Sequence, residues 1–141
     1  VLVVDLPVEE SAEHRAACAA AGLATVFLTA PTTSDERLAA SVQASSGFLY
    51  YVSRLGVTGA SASVADGAAA ELARVKKAAG SLAVAYGFGI STPAQAAAAA
   101  KLADGVIVGS ALVRLLEGTD PAEGARRLAE AAAAMSAAMR R

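Results

Sequence analysis

Short apolar runs alternate along this chain with longer stretches in which charged residues return at helical spacing. Residues 1–6, 25–30, 48–53, 82–88 and 105–108 are short and largely apolar, the pattern of strands buried on both faces. Pro7 follows the first run and stops it. Helices are predicted over 8–21, 35–44, 66–79, 93–103 and 111–116, with a last one from 121 to about 139. The first carries Glu9 and Glu10 in its opening turn and is closed by Gly22. Asp66 is placed as the cap of the third helix, and Asp120-Pro121 as the start of the last. Strands then begin near 1, 25, 48, 82 and 105, at spacings of 24, 23, 34 and 23 residues. Such a βα repeat implies an α/β fold, a parallel sheet with crossover helices.

The 34-residue unit owes its length to residues 54–65, a small and polar stretch after the third strand. A loop of about twelve residues without structure of its own is usually functional or mobile. A disordered insertion is one reading. A closing lid is the better one, because the loop leaves the C-terminal end of a strand, where barrel enzymes place their chemistry.

Two later strands end alike, in Tyr86-Gly87-Phe88-Gly89-Ile90-Ser91-Thr92-Pro93 and in Val108-Gly109-Ser110-Ala111. Gly87 and Gly89 are expected to let the backbone turn sharply and to leave its N–H groups uncovered. Ser91 or Thr92 caps the next helix and Pro93 suits its first turn. Either turn alone reads better as a tight βα connection. Two of them on neighbouring strands would aim bare amides and a helix N-terminus at one point, where a phosphate dianion is held. In an eight-stranded barrel that site follows the last two strands, with a short extra helix. An open doubly wound sheet would carry its glycine loop after the first strand, but here the first strand ends in Asp5-Leu6-Pro7. The order therefore favours the C-terminal part of a TIM (β/α)8 barrel, strands 4 to 8, as one domain over residues 1–141. The chain opens in mid-strand without an initiator Met or a leading loop, and is expected to be a segment of a longer one.

Composition narrows the classes. Hydrophobic residues make up 55%, which excludes a disordered chain. The net charge of −1 and only six aromatic residues argue against a nucleic-acid partner. No apolar run approaches the roughly 20 residues of a membrane span. Cys18 is the one cysteine and is expected to be buried as a small hydrophobe. His14, the one histidine, is expected on a solvated face, and a metal site is not expected. The cysteine usage suggests the cytoplasm.

Taken in order, Val1-Leu2-Val3-Val4-Asp5-Leu6-Pro7-Val8-Glu9-Glu10, then Phe27-Leu28-Thr29-Ala30-Pro31, then Ser53-Arg54-Leu55-Gly56-Val57-Thr58-Gly59, Gly87-Phe88-Gly89-Ile90-Ser91 and Gly105-Val106-Ile107-Val108-Gly109-Ser110 resemble the tryptophan synthase alpha chain family. The resemblance runs over nearly the whole length. It implies a TIM barrel that cleaves indole-3-glycerol phosphate to indole and glyceraldehyde 3-phosphate. It also implies an α2β2 assembly with a beta chain that holds pyridoxal phosphate, the alpha chain needing no cofactor itself. By resemblance, Gly59, Gly89, Gly109 and Ser110 bind phosphate, and Tyr50 and Phe88 line the substrate pocket. Leu2 and Ile107 line the indole pocket, and Thr58 belongs to the lid. Asp5 and Pro7 match a loop near the beta-chain interface, though Asp5 reads equally well as bonding to nearby backbone.

The family's acid–base pair, a glutamate ending the second strand and an aspartate in the next loop, has no match here. Asp5, Asp66, Asp104 and Glu117 are the acids nearest strand or loop ends, and none has a second carboxylate beside it in sequence. Asp104 precedes a strand and is expected on the stability face. Tyr86 is expected to be a packing choice. The chain alone is therefore expected to be inactive as a lyase. The alternatives are a non-catalytic phosphate-binding half-barrel and another phosphate-binding barrel isomerase or epimerase.

Overall fold

Four short strands form the sheet of this computed structural model, which describes residues 1–52 and 62–140, without the side chains of 62–66 and 68. They are β1 (Phe27–Thr29), β2 (Leu49–Tyr51), β3 (Val84–Tyr86) and β4 (Gly105–Val106). All pairs are parallel and the spatial order is β1-β2-β3-β4, with no reversal. A doubly wound sheet reverses its order at a switch point; an unreversed order is the winding of a barrel wall.

The six α-helices among the described residues are α1 (Ala12–Ala20), α2 (Asp35–Ala44), α3 (Ala62–Ala79), α4 (Pro93–Ala100), α5 (Ser110–Val113) and α6 (Pro121–Met139). Alternation along each strand decides which side chains meet them. Leu49 and Val84, and one row on Tyr51 and Tyr86, pack with Leu38, Leu72, Val75, Ala96, Ala99 and Met135 into one buried cluster. The Tyr51 and Tyr86 ring centroids are 6.0 Å apart. Tyr86 is thus a packing residue, as expected. The other row, Leu28, Tyr50, Ala85 and Gly105, points away from that cluster.

Helix ends follow local chemistry. Ser34 caps α2 by accepting from the Arg37 amide. Asp120 caps α6 by accepting from the Ala122 and Glu123 amides. Gly22 adopts φ +69° after α1 while the Leu23 amide returns to the Cys18 carbonyl at 2.9 Å, a left-handed stop that glycine favours.

Four expectations need correction. Residues 1–6 do not form a strand; they make one parallel bridge, Leu2 to Val26. The Leu6 amide then turns back to the Val3 carbonyl and takes the chain out of the sheet. The helix expected over 8–21 is split into a 3-10 turn, Val8–Glu10, and α1. The Ser11 hydroxyl at the break donates to the Val8 carbonyl at 2.7 Å, competing with a continuous helix. α3 begins at Ala62, four residues before Asp66, so Asp66 is not its cap. The alanine-rich lead-in is itself helix-forming. His14 is half-buried, not solvated, with Nε2 3.5 Å from Cys18 Sγ, since one helical turn places the two on one face. Cys18 is buried, as expected.

Candidate functional site

Parallel strands bring all their C-terminal ends to one edge of the sheet. The turns that leave β3 and β4 therefore lie side by side there. The Gly87 amide donates to the Tyr51 carbonyl at 3.1 Å, and the Ile107 amide to the Tyr86 carbonyl at 2.9 Å. These bonds extend the ladder one residue past both strands and fix where each turn begins.

The glycines serve different purposes. Gly89 has φ +66°, a conformation that side chains resist. Gly87 does not; it is glycine because there is no room for a side chain. A Cβ there would lie 2.9 Å from the Ile107 carbonyl oxygen, the Ile107 Cβ and the Tyr50 ring carbon Cε2. The expectation that Gly87 serves a sharp turn is corrected to close packing. Beside Gly89 and Gly109 there is open space within 4 Å of the same position. Gly109 precedes α5 directly, and the first amides of a helix have no acceptor within it. Gly89, Gly109 and Ser110 are exposed.

One part of the expected phosphate grip is already occupied. Thr92 caps α4 and Pro93 follows it, as anticipated, but Gln95 completes a capping box. Its Oε1 accepts from the Ser91 amide at 2.7 Å and the Thr92 amide at 3.2 Å. The start of α4 is thus not a bare amide cluster. The Thr92-x-x-Gln95 spacing was the sequence signal for this box.

The pocket residues sort by face. Tyr50 and Ile107 meet at Gly87 on the sheet face turned away from the helices. Leu2 pairs with Val26, two residues before Leu28 on the same face, so it lies one row nearer the N-terminal edge than Tyr50. Leu28 shares the Tyr50 row and was overlooked; its alternation with Phe27 and Thr29 was the signal. Burial raises the Tyr50 phenol above its usual 10.0. Phe88 is 47% exposed at the tip of its turn. Thr58 and Gly59, and the lid expected around them, lie outside the described residues.

The Asp66 side chain lies outside the described residues, and the other three acids singled out in the sequence take the following places. Asp104 Oδ1 pairs with Lys76 Nζ at 2.7 Å, and its Oδ2 accepts from the Val84 amide at 3.0 Å. It ties α3 to the N-terminal ends of β3 and β4, a stabilising place, as expected. Asp5 and Glu117 are exposed. Among the described residues no three His, Cys, Asp or Glu side chains gather into a metal-holding group.

The sequence profile of the tryptophan synthase alpha chain matches residues 1–140. The chain belongs to the tryptophan synthase alpha chain family. The alpha chain of Geotalea daltonii is 50% identical over 117 residues, 83% of this chain and 44% of its own length. That of Geotalea uraniireducens is 44% identical over 140 residues, 99% of this chain and 52% of its own. Among solved structures, Mycobacterium tuberculosis tryptophan synthase superposes with a TM-score of 0.80 at 41% identity, covering 99% of this chain and 51% of the other. The Legionella pneumophila tryptophan synthase alpha chain gives 0.81 at 33% identity, covering 98% and 50%. The four parallel strands are therefore part of the TIM barrel of the tryptophan synthase alpha chain. The chain spans about half the length of the curated relatives it matches.

Proposed function

We propose that this chain provides the phosphate grip and one pocket wall for the cleavage of indole-3-glycerol phosphate to indole and glyceraldehyde 3-phosphate. One observation carries the reading: two glycine turns on adjacent strands, Gly87-Phe88-Gly89 and Gly109-Ser110, with open space beside Gly89 and Gly109. The exposed Ser110 that opens α5 and the backbone amides of these turns suit a phosphate without a lysine or arginine. By the family resemblance Gly59 and Thr58, outside the described residues, would also serve the substrate. Tyr50, Ile107, Leu2 and Phe88 would hold the indole ring by apolar contact.

The reaction needs a proton delivered to the indole ring carbon and one removed from a hydroxyl, work for positioned carboxylates. Asp104 is committed to Lys76 and the Val84 amide, so it is no candidate. The two carboxylates belong to the part of the family's barrel that this chain does not match. By this reading the 141 residues bind substrate but do not turn it over. Family membership further supports a beta chain holding pyridoxal phosphate as partner, an α2β2 assembly, no cofactor in the alpha chain itself, and a cytoplasmic setting.

The second reading is a phosphate-binding module without chemistry, favoured by the engagement of Asp104 with Lys76 and the Val84 amide at the opposite edge of the sheet. Equilibrium binding of indole-3-glycerol phosphate to the chain and to Gly109→Asp, with product analysis, separates the possibilities. The proposal expects saturable binding, weakened at least about tenfold by the added charge, roughly 1.4 kcal/mol. Equal binding by both proteins overturns it. Product from this chain alone would overturn the assignment of the carboxylates elsewhere.

A further inference from the structure

The turn between β3 and α4 is held at both ends. Upstream, the Gly87 amide bonds to the Tyr51 carbonyl, and Ile107 and Tyr50 leave no room for a Cβ there. Downstream, Ile90 is buried, and Ser91 and Thr92 are fastened to Gln95. Gly89 lies between these anchors.

Gln95 does more than cap a helix. Its Oε1 receives the Ser91 amide at 2.7 Å, the Ser91 hydroxyl at 3.0 Å and the Thr92 amide at 3.2 Å. Three donors converging on one atom require an acceptor there, so the side-chain oxygen and not the nitrogen faces them. The Gln95 backbone N–H donates in turn to the Thr92 hydroxyl oxygen at 3.2 Å. An oxygen held by two backbone N–H groups and a hydroxyl at a helix start stands where an oxyanion would otherwise bind. The chain thus fills, with its own neutral side chain, the anion position next to the proposed phosphate site.

We propose that Gln95 is a positioning residue for the phosphate: it closes the Ser91–Thr92 amides, so that an oxyanion is bound only at Gly89 and the Gly109-Ser110 turn. This rests on the phosphate reading above. Without the closure, two anion positions would compete across one turn, and the substrate would be held in two registers. A neutral amide suits the task. It satisfies the donors as a carboxylate would, yet adds no negative charge beside a phosphate dianion.

The test follows backbone amide resonances of the chain during titration with inorganic phosphate, together with amide hydrogen exchange, in the wild type, Gln95→Ala and Gln95→Glu. In the wild type, phosphate is expected to move Gly89, Gly109 and Ser110 but not Ser91 or Thr92. In Gln95→Ala, Ser91 and Thr92 are expected to exchange about tenfold faster, as loss of their acceptor requires, and to respond to phosphate. In Gln95→Glu, which keeps the cap and guards against simple misfolding, they should stay protected while phosphate binds more weakly. Movement of Ser91 and Thr92 in the wild type overturns the proposal. So does a folded Gln95→Ala in which they remain unmoved. If no amide moves in the wild type, the phosphate reading fails by itself. Exchange then judges the closure: faster at Ser91 and Thr92 in Gln95→Ala supports it, and unchanged rates overturn it.

Discussion

Tyr50 lies against the backbone of Gly87, so closely that a Cβ on Gly87 would come within 2.9 Å of its ring. The same Cβ would meet the Ile107 carbonyl oxygen at the same distance. A residue of β2 and the residues just past β3 and β4 thus share one contact, at the mouth of the proposed pocket. Gly87→Ala is expected to cost about 1–3 kcal/mol, because backbone on one side and a ring on the other must give way. Tyr50→Ala in the same chain should relieve only the ring's share. The two changes should be non-additive by at least about 0.5 kcal/mol in a double-mutant cycle. Denaturant unfolding of the four proteins checks this, and additivity would disprove the contact.

Gly109 presents the opposite case. Nothing lies within 4 Å of where its Cβ would be. Gly109→Ala should shift stability by no more than about 1 kcal/mol, the scale of an exposed helix-end change. It should still weaken phosphate binding, because the methyl group would enter the space left for the ligand. Calorimetric titration with phosphate, set beside thermal unfolding, separates the two effects.

Asp104 should matter for stability and not for binding. Asp104→Ala leaves the Val84 amide without its acceptor and is expected to cost about 1–3 kcal/mol. Lys76→Ala removes only a half-exposed ion pair and should cost less than about 1 kcal/mol. Neither should alter phosphate affinity, since both sit at the far edge of the sheet. A change in affinity would show that the edges have been assigned wrongly.

The Glu9 carboxyl is held below its usual 4.5, first by a backbone N–H and then by the Arg37 guanidinium, whose Nε donates to Oε1 at 2.9 Å. A lowered pKa means that the folded state binds fewer protons than the unfolded one. The contribution is present above pH 4.5 and is lost as pH falls through the lower, folded value. Acid should therefore loosen residues 8–11 from α2 before it melts the core, and Glu9→Gln should abolish that early step. Amide exchange of these residues against pH is the check.

Much of this was legible because it is local. The bounds of α2 and α6 follow from Ser34 and from Asp120-Pro121, whose caps act within three residues. Gly22 announces the end of α1 in the same way. The strand spacing gave the parallel repeat, since each βα unit has its own length. What was not legible depends on distant partners. Residues 1–6 have the composition of a strand, yet a strand exists only where a neighbour offers a matching ladder, and only Leu2 finds one. Gly87 reads as a turn glycine, but its reason is a backbone 20 residues away at Ile107. Gln95 was readable through its three-residue spacing from Thr92, and the expectation of bare amides passed over it.

The central claim is that the phosphate rests between the β3 and β4 turns. Its most direct measurement is the position of the phosphorus atom in crystals of the chain grown with indole-3-glycerol phosphate. The account predicts phosphate oxygens within hydrogen-bond distance, about 2.7–3.2 Å, of the Gly89 and Ser110 amides, with Gln95 still bonded to Ser91 and Thr92. A phosphate seated on Ser91 and Thr92 with Gln95 displaced, or one bound away from both glycine turns, would contradict it.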